Sequence, residues 1–165
     1  DPVVFFEHKS LLADKGEVPD AEHVEPLGKA KVLREGKDAT IIALALMVPR
    51  ALKAAEMLAA EHGISATVVD VRSLVPLDAK ALLEHSARTG RVFTVEENPR
   101  LCGWGAEIAS IIQEEVFSAL KGPVVRITTP HVPLPASDKL EDAVMPSAAR
   151  IAAEVKRSLD SKRAA

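Results

Sequence analysis

The chain has almost no cysteine and no marked excess of charge of either sign. A single cysteine among 165 residues excludes an internal disulfide framework and a multi-cysteine zinc site. The 21 basic and 24 acidic residues give a formal net charge of −3, and the basic side chains are scattered. Nucleic acid is therefore not an expected partner, because binding to phosphate backbones needs clustered cations. The single cysteine fits a reducing compartment, either a bacterial cytoplasm or a mitochondrial matrix.

Long apolar runs are also missing from the sequence. No run approaches the length of a membrane span, so we expect no membrane contact. The chain opens with Asp1 and Pro2, without an initiator methionine or the charged and then apolar pattern of a signal peptide. We therefore expect a piece of a longer protein. Its length and its hydrophobic fraction of 47% predict one main globular domain with a sizeable core.

Strand-like and helix-like patterns alternate along most of the chain. The strand-like runs are continuously apolar and cover residues 3–6, 39–46, 66–71, 91–95 and 124–128. The first run precedes a polar linker, and the other four are separated by helical patterns. Continuous apolar character indicates strands that are buried on both faces, as in a parallel sheet covered by helices. The pattern predicts the α/β class.

Four helices are predicted from apolar spacing and end signals. The first covers residues 48–62, and the second starts after Asp78 as N-cap and stops at Gly90. The third places an apolar stripe from Ile108 to Ala119 on one face, and the last begins near Ser147. We expect His62 and His85 near helix ends, and a frayed polar tail over residues 161–165.

Residues 91–108 run from a strand through two acids and a glycine-rich turn into a helix. Gly103 and Gly105 flank Trp104, and such a turn at a helix N-terminus can bring backbone amides to an anion. The turn lacks the full dinucleotide fingerprint and the lysine of a phosphate loop. The alternative, which we favour, is a tight turn that allows close helix packing.

None of the reactive side chains in this region makes a catalytic site on sequence grounds. Glu96 and Glu97 are adjacent on a strand and point to opposite faces, so they cannot share one substrate. One is expected to be solvated and the other to order the neighbouring loop. Cys102 has no histidine at a motif-like spacing, and His131 has no carboxylate partner in its proline-rich loop. We assign no catalytic residue.

Several short sequences occur in an order that resembles a known family. They are FFEHK (residues 5–9), PLGKA (26–30), DVRSLVPLD (70–78), TGR (89–91), GWGAEI (103–108), VPLP (132–135) and LED (140–142). The chain resembles the C-terminal half of the β subunit of the 2-oxo acid dehydrogenase decarboxylating component, over nearly its whole length. The pyruvate, branched-chain 2-oxo acid and acetoin enzymes are of this type.

The resemblance implies a fold and a division of the chain. Residues 1–28 would be the last strand of a pyrimidine-binding domain and a linker, residues 29–160 a transketolase-type C-terminal domain, and residues 161–165 a polar tail. The implied fold is a three-layer αβα arrangement with a mostly parallel five-stranded sheet and one antiparallel edge strand.

The resemblance also implies cofactors and partners. The intact αβ assembly would decarboxylate a 2-oxo acid on thiamine diphosphate and magnesium and pass the acyl group to a lipoyl arm. The residues that bind the cofactor in this family lie outside the present chain, so we expect the chain alone to be inactive and to bind no cofactor. In the family a potassium ion lies near the position of Asp1, where asparagine is usual.

Assembly contacts are the expected role of these residues. The expected partners are the α subunit, a second β subunit and the subunit-binding domain of the acyltransferase core. An acidic residue that receives basic side chains of that domain aligns with Lys121, so docking is expected to be weaker, shifted or directed to a different core. The alternatives are a free-standing anion- or nucleotide-binding module that uses Gly103 and Gly105, or another thiamine enzyme such as transketolase.

Overall fold

One mixed sheet forms the centre of the fold. The computed structural model describes residue 2 and residues 4–161. The strands are β1 (Lys31–Arg34), β2 (Ala39–Ala43), β3 (Ala66–Asp70), β4 (Val92–Pro99) and β5 (Val125–Thr129), in the order β1-β3-β2-β4-β5. β1 pairs with β3 in the antiparallel sense, and the other three pairs are parallel. The predicted fold class is confirmed.

Helices cover both faces of this sheet. They are α1 (Met47–His62), α2 (Ala79–Thr89), α3 (Gly105–Val116), α4 (Asp138–Val144) and α5 (Ala148–Asp160). One core cluster joins α1 and α5 to one face of the strands, and Phe93 and Ile151 belong to it. A second cluster joins α2 and α3 to the other face, and Ile42 and Ile112 belong to it. Three layers result because every central strand is apolar on both sides.

The ends of α2 are set by the residues that the sequence indicates. The side chain of Asp78 accepts a hydrogen bond from the amide of Ala81 at 3.3 Å, which satisfies a first-turn donor. Gly90 ends the helix with a left-handed φ of 68°. A Cβ atom there would lie 2.6 Å from the carbonyl oxygen of Ala119, so glycine also permits a close approach of the two chain segments. The predicted boundaries of this helix are confirmed.

Replacing Asp78 tests this cap. Its second carboxylate oxygen accepts a hydrogen bond from the amide of Ala30 at 3.2 Å, so the residue also ties the start of α2 to the segment before β1. We expect Asp78→Ala to lower the free energy of unfolding by about 1–2 kcal/mol in chemical denaturation. Ser137→Ala is the control, because Ser137 is the N-cap of α4 but its side chain makes no capping hydrogen bond. Equal losses in the two variants would contradict the assignment.

The structure corrects several predicted elements. The predicted strand over residues 39–46 ends at Ala43, because the chain turns there into α1 and Ala45 has a positive φ of 51°. The strand predicted from residue 91 continues to Pro99. β1 and α4 were not located from the sequence, since β1 alternates between exposed and half-buried residues and α4 has only seven residues.

Two further expectations are also corrected. Val3 of the predicted strand at residues 3–6 lies outside the described residues, and Val4, Phe5 and Phe6 are exposed and form no strand. A strand needs a neighbour for its backbone hydrogen bonds, and no described strand lies beside them. His62 does end α1, but His85 lies one turn before the end of α2 and is buried. Of the tail at residues 161–165, only residue 161 is described.

Candidate functional site

The turn between β4 and α3 is organised by the buried carboxylate of Glu96. The Glu96 side chain has no exposed surface, and Arg126 on β5 faces it with a side chain that is 10% exposed. The two residues make a bidentate pair, in which Nε donates to Oε1 and Nη2 donates to Oε2, both at 2.8 Å. Two parallel charge-assisted bonds fix both side chains in one orientation. The pair therefore joins β4 to β5 below the glycine turn.

Three more donors complete the shell around this carboxylate. The Gly105 amide donates to Oε2 at 3.0 Å, the Thr94 hydroxyl donates to Oε1 at 3.0 Å, and the Asn98 side-chain amide donates to Oε2 at 3.2 Å. Burial opposes ionisation, but the hydrogen bonds from Arg126, Gly105 and Asn98 outweigh it and hold the pKa of Glu96 below its ordinary value. The carboxylate is therefore ionised at neutral pH.

Neither glycine of the turn has room for a side chain. Gly103 and Gly105 are buried, and a Cβ atom at either would lie within 2.3 Å of a carboxylate oxygen of Glu96. The carbonyl of Gly103 also accepts a hydrogen bond from Arg126 Nη2 at 3.4 Å. The Glu96 carboxylate thus occupies the position at the N-terminus of α3 where an external anion would bind, and it interacts favourably with the helix dipole.

This geometry supports the close-packing interpretation of the turn. The Gly105 amide already donates to an internal carboxylate, so it is not available to a ligand. An anion site at Gly103 and Gly105 stays a prediction with no observation in its favour. The sequence did not predict the role of Arg126, which forms the buried ion pair with Glu96. The available signal was an arginine inside an otherwise apolar strand, one strand away from an equally isolated acid.

The two neighbouring acids diverge as predicted. Glu97 Oε1 lies 2.9 Å from Nε2 of His8, on the opposite side of β4 from the Glu96 pair. Glu96 therefore orders the glycine turn as expected, whereas Glu97, which was expected to be solvated, is half-buried and contacts the N-terminal segment. Cys102 and His131 are exposed and lie outside the Glu96 hydrogen-bond network. The structure does not bring these side chains into one catalytic arrangement.

Lys121 lies at the other end of the sheet. Its amide donates to the carbonyl of Gly90 at 2.7 Å, and its Nζ donates to the carbonyl of Thr89 at 3.0 Å. Both contacts place Lys121 at the C-terminal end of α2. A cavity of about 640 Å³ there is shared by Lys121, Arg91 and the last turn of α5, which contributes Leu159 and Asp160. The predicted docking position and the end of the last helix therefore share one surface.

The described residues contain no candidate ligand set for the metal ion of a thiamine cofactor. Within residue 2 and residues 4–161, no group of three or more His, Cys, Asp or Glu side chains lies close enough together to hold a metal ion. Asp1, the predicted potassium position, lies outside the described residues. The helices of the described segment are also too short or too polar to cross a membrane.

Comparisons with known proteins agree with the fold. Residues 28–151 match the family described as transketolase, C-terminal domain. The chain therefore belongs to the transketolase C-terminal domain family. A solved structure described as a split gene transketolase, inactive beta4 tetramer, has a TM-score of 0.73 to it at 37% identity and covers 89% of this chain and 46% of that chain.

Two curated relatives are similar to the chain over nearly its whole length. The chain is 43% identical over 159 residues to the acetoin:2,6-dichlorophenolindophenol oxidoreductase subunit beta of Cupriavidus necator. It is 45% identical over 159 residues to the pyruvate dehydrogenase E1 component subunit beta of Leifsonia xyli subsp. xyli. Each match covers 96% of this chain and 47% of the relative. The chain thus spans about half the length of the curated relatives it matches.

Proposed function

We propose that the chain is the C-terminal part of the β subunit of a thiamine-diphosphate-dependent 2-oxo acid dehydrogenase. The observation that carries this proposal is the identity of 43–45% to two β subunits across 96% of the chain. The intact enzyme would oxidatively decarboxylate pyruvate or a branched-chain 2-oxo acid and transfer the acyl group to a lipoyl arm. Its compartment would be a bacterial cytoplasm or a mitochondrial matrix.

Within that enzyme, these residues would assemble the complex. Following the family resemblance, thiamine diphosphate and magnesium would bind in the rest of the αβ assembly, and the chain alone would be inactive. The division into residues 1–28, 29–160 and 161–165 belongs to this proposal, and it agrees with a family match that begins at residue 28. A potassium ion at Asp1 in the intact subunit is likewise part of it.

Assembly is tested by size and by binding. Light scattering on the purified chain over a wide concentration range would measure its association with a second copy. Calorimetry with the subunit-binding domain of an acyltransferase, and with an α subunit, would measure the other contacts. The proposal predicts self-association together with binding to at least one of these partners. A chain that stays monomeric at high concentration and binds neither partner would remove the assembly role.

Lys121 provides a directed test of acyltransferase docking. We expect Lys121→Asp to tighten binding of a basic subunit-binding domain by about tenfold in calorimetry, because an acid then faces the basic side chains of the partner. The matched control is Lys80→Asp, which makes the same charge change at an exposed residue in the first turn of α2, at the other end of that helix. Equal tightening in both variants would show a general charge effect and contradict a docking site at Lys121.

A further inference from the structure

A second cavity lies at the carboxyl end of β5, apart from the Glu96 pair and from the surface around Lys121. It has a volume of about 570 Å³, within the range of small-molecule sites. Its lining comes from the residue after β4, the end of β5, the following loop and the helices α4 and α5. The lining residues are Arg100, Thr128, Thr129, Pro130, His131, Ala143, Val144 and Arg150. We refer to it as the β5 cleft.

The charge of the β5 cleft is entirely cationic. Its charged lining residues are Arg100 and Arg150, and no aspartate or glutamate lines it. The Arg100 guanidinium makes no hydrogen bond or ion pair with any other described residue, whereas Arg150 uses Nη2 to donate to the carbonyl of Thr128 at 2.8 Å. Two guanidinium groups with unused donors on one cavity favour an anionic ligand.

Neighbouring acids do not neutralise these arginines. Asp142 on α4 pairs with Arg50 at 3.2 Å, so that acid is already engaged outside the cleft. Glu154, one turn after Arg150 on α5, pairs with Arg157. Neither of these two acids pairs with Arg100 or Arg150, and the positive charge of the cleft remains available to a ligand.

A buried hydroxyl provides an independent sign of a missing polar partner. Thr129 lines the cleft and is 2% exposed, and its Oγ1 atom has no hydrogen-bond partner among the described residues. A buried polar atom without a partner raises the free energy of the folded state. Because this atom has almost no accessible surface, the Thr129 side chain would turn toward the cleft to meet a ligand oxygen, and that contact would remove the penalty.

We propose that the β5 cleft binds the phosphate group of a small soluble molecule. The Arg100 and Arg150 guanidiniums would each donate to phosphate oxygens in the planar fork geometry that suits this group, and the His131 ring and the Thr129 hydroxyl would add donors at the rim and floor. The cleft lies just beyond the carboxyl ends of parallel strands, where ligands of α/β sheets usually bind. The site does not depend on the proposed enzyme function.

Residue-resolved nuclear magnetic resonance titrations of the ¹⁵N-labelled chain test this site. The probes are inorganic phosphate, ribose 5-phosphate and ribose, at constant ionic strength. We expect saturable shifts of the Thr129, His131 and Arg150 amides with both phosphate probes and none with ribose. Tighter binding of ribose 5-phosphate would identify a phosphate ester as the ligand, and equal binding would identify free phosphate. Both results support a phosphate site.

Two matched arginine variants decide whether the cleft itself binds. Arg100 is exposed and makes no side-chain contact by hydrogen bond, so Arg100→Gln should fold normally and weaken phosphate binding about tenfold or more. Arg88→Gln removes the same charge from the exposed Arg88–Glu35 pair, near the amino end of β3, and should change binding by less than about twofold. Unsaturable shifts, shifts centred on Gly103 and Gly105, or equal weakening in both variants would overturn the proposal.

Discussion

Replacing Arg126 with methionine is expected to lower the free energy of unfolding by about 3–5 kcal/mol at neutral pH, because it leaves a buried carboxylate without a counter-charge. Glu96 has no exposed side-chain surface and receives two of its hydrogen bonds from Arg126, each at 2.8 Å. Methionine fills a similar volume, so packing loss contributes little. Urea denaturation of the variant and of the original chain would measure the difference.

The same variant has a defined pH dependence. In the original chain the pKa of Glu96 lies below its ordinary value of 4.5, so its stabilisation is complete above that pH and is lost as the pH falls through the lower folded-state pKa. In Arg126→Met, burial without the guanidinium favours the protonated acid. The stability gap between the two proteins should therefore narrow as the pH falls below neutral. A gap that is constant over that range would show that charge is not its cause.

An exposed ion pair provides the control for this experiment. Arg157 pairs with Glu154 on the surface of α5, and its side chain is 76% exposed. Arg157→Met is expected to change stability by at most about 1 kcal/mol, because water screens such pairs. A loss as large as that of Arg126→Met would mean that removing any arginine destabilises the fold, and the special role of the buried pair would not hold.

Substituting Gly105 by alanine is expected to cost about 2–4 kcal/mol, since the added methyl group overlaps the carboxylate shell. Its Cβ would lie 2.2 Å from Oε1 of Glu96 and 2.6 Å from the Thr94 hydroxyl oxygen. Relief requires Glu96 to move, which breaks its bonds to Arg126 and to the Gly105 amide. Chemical denaturation would measure the loss of stability. Hydrogen exchange would show the accompanying loss of amide protection at the start of α3.

Gly16→Ala is the matched control for this substitution. A Cβ atom at Gly16 meets nothing within 4 Å, and its φ lies outside the left-handed region. The expected change in the free energy of unfolding is within about 0.5 kcal/mol of zero. If Gly105→Ala were as mild as this control, the turn would have room to adjust, and the steric account of the glycine pair would be wrong.

Local signals predicted the covering helices well. Asp78, Gly90 and Ser147 act on their own nearest neighbours in the chain, so sequence alone identifies them as helix boundaries. The strands β2, β3 and β5 were also evident, because burial on both faces demands a continuous apolar run. β1 and α4 lack such signals, since their conformation depends on contacts with distant parts of the chain.

The sequence predicted that one of the two acids orders the loop, but it did not predict the partner of Glu96. Adjacent acids on a strand must diverge, which predicted that one of them orders the loop. The partner could not be predicted, because the register that places Thr94 opposite Arg126 is a property of the β4–β5 pairing and not of either strand alone. The same limit applies to the β5 cleft, whose two arginines are 50 positions apart in the chain.

The family resemblance predicts a docking position at Lys121, and the structure shows the surroundings of this residue. Lys121 lies at the end of α2 opposite to the Asp78 cap, beside the last turn of α5. The Glu96 pair and the β5 cleft lie toward the carboxyl ends of the strands. A partner bound at Lys121 and a phosphate ligand in the cleft would therefore lie at opposite ends of the strands of one sheet.

The position of α5 determines which apolar surface is exposed while the protein is being synthesised. Ile151, Ala152 and Val155 of this helix are buried in the same cluster as Ala51 and Leu58 of α1. Until residues 148–160 have left the ribosome, the part of that face which α5 covers stays open to water, even though α1 and all five strands are already synthesised. The nascent chain then exposes an apolar surface that can associate with other proteins. Protection by a chaperone would matter most in the interval before α5 emerges.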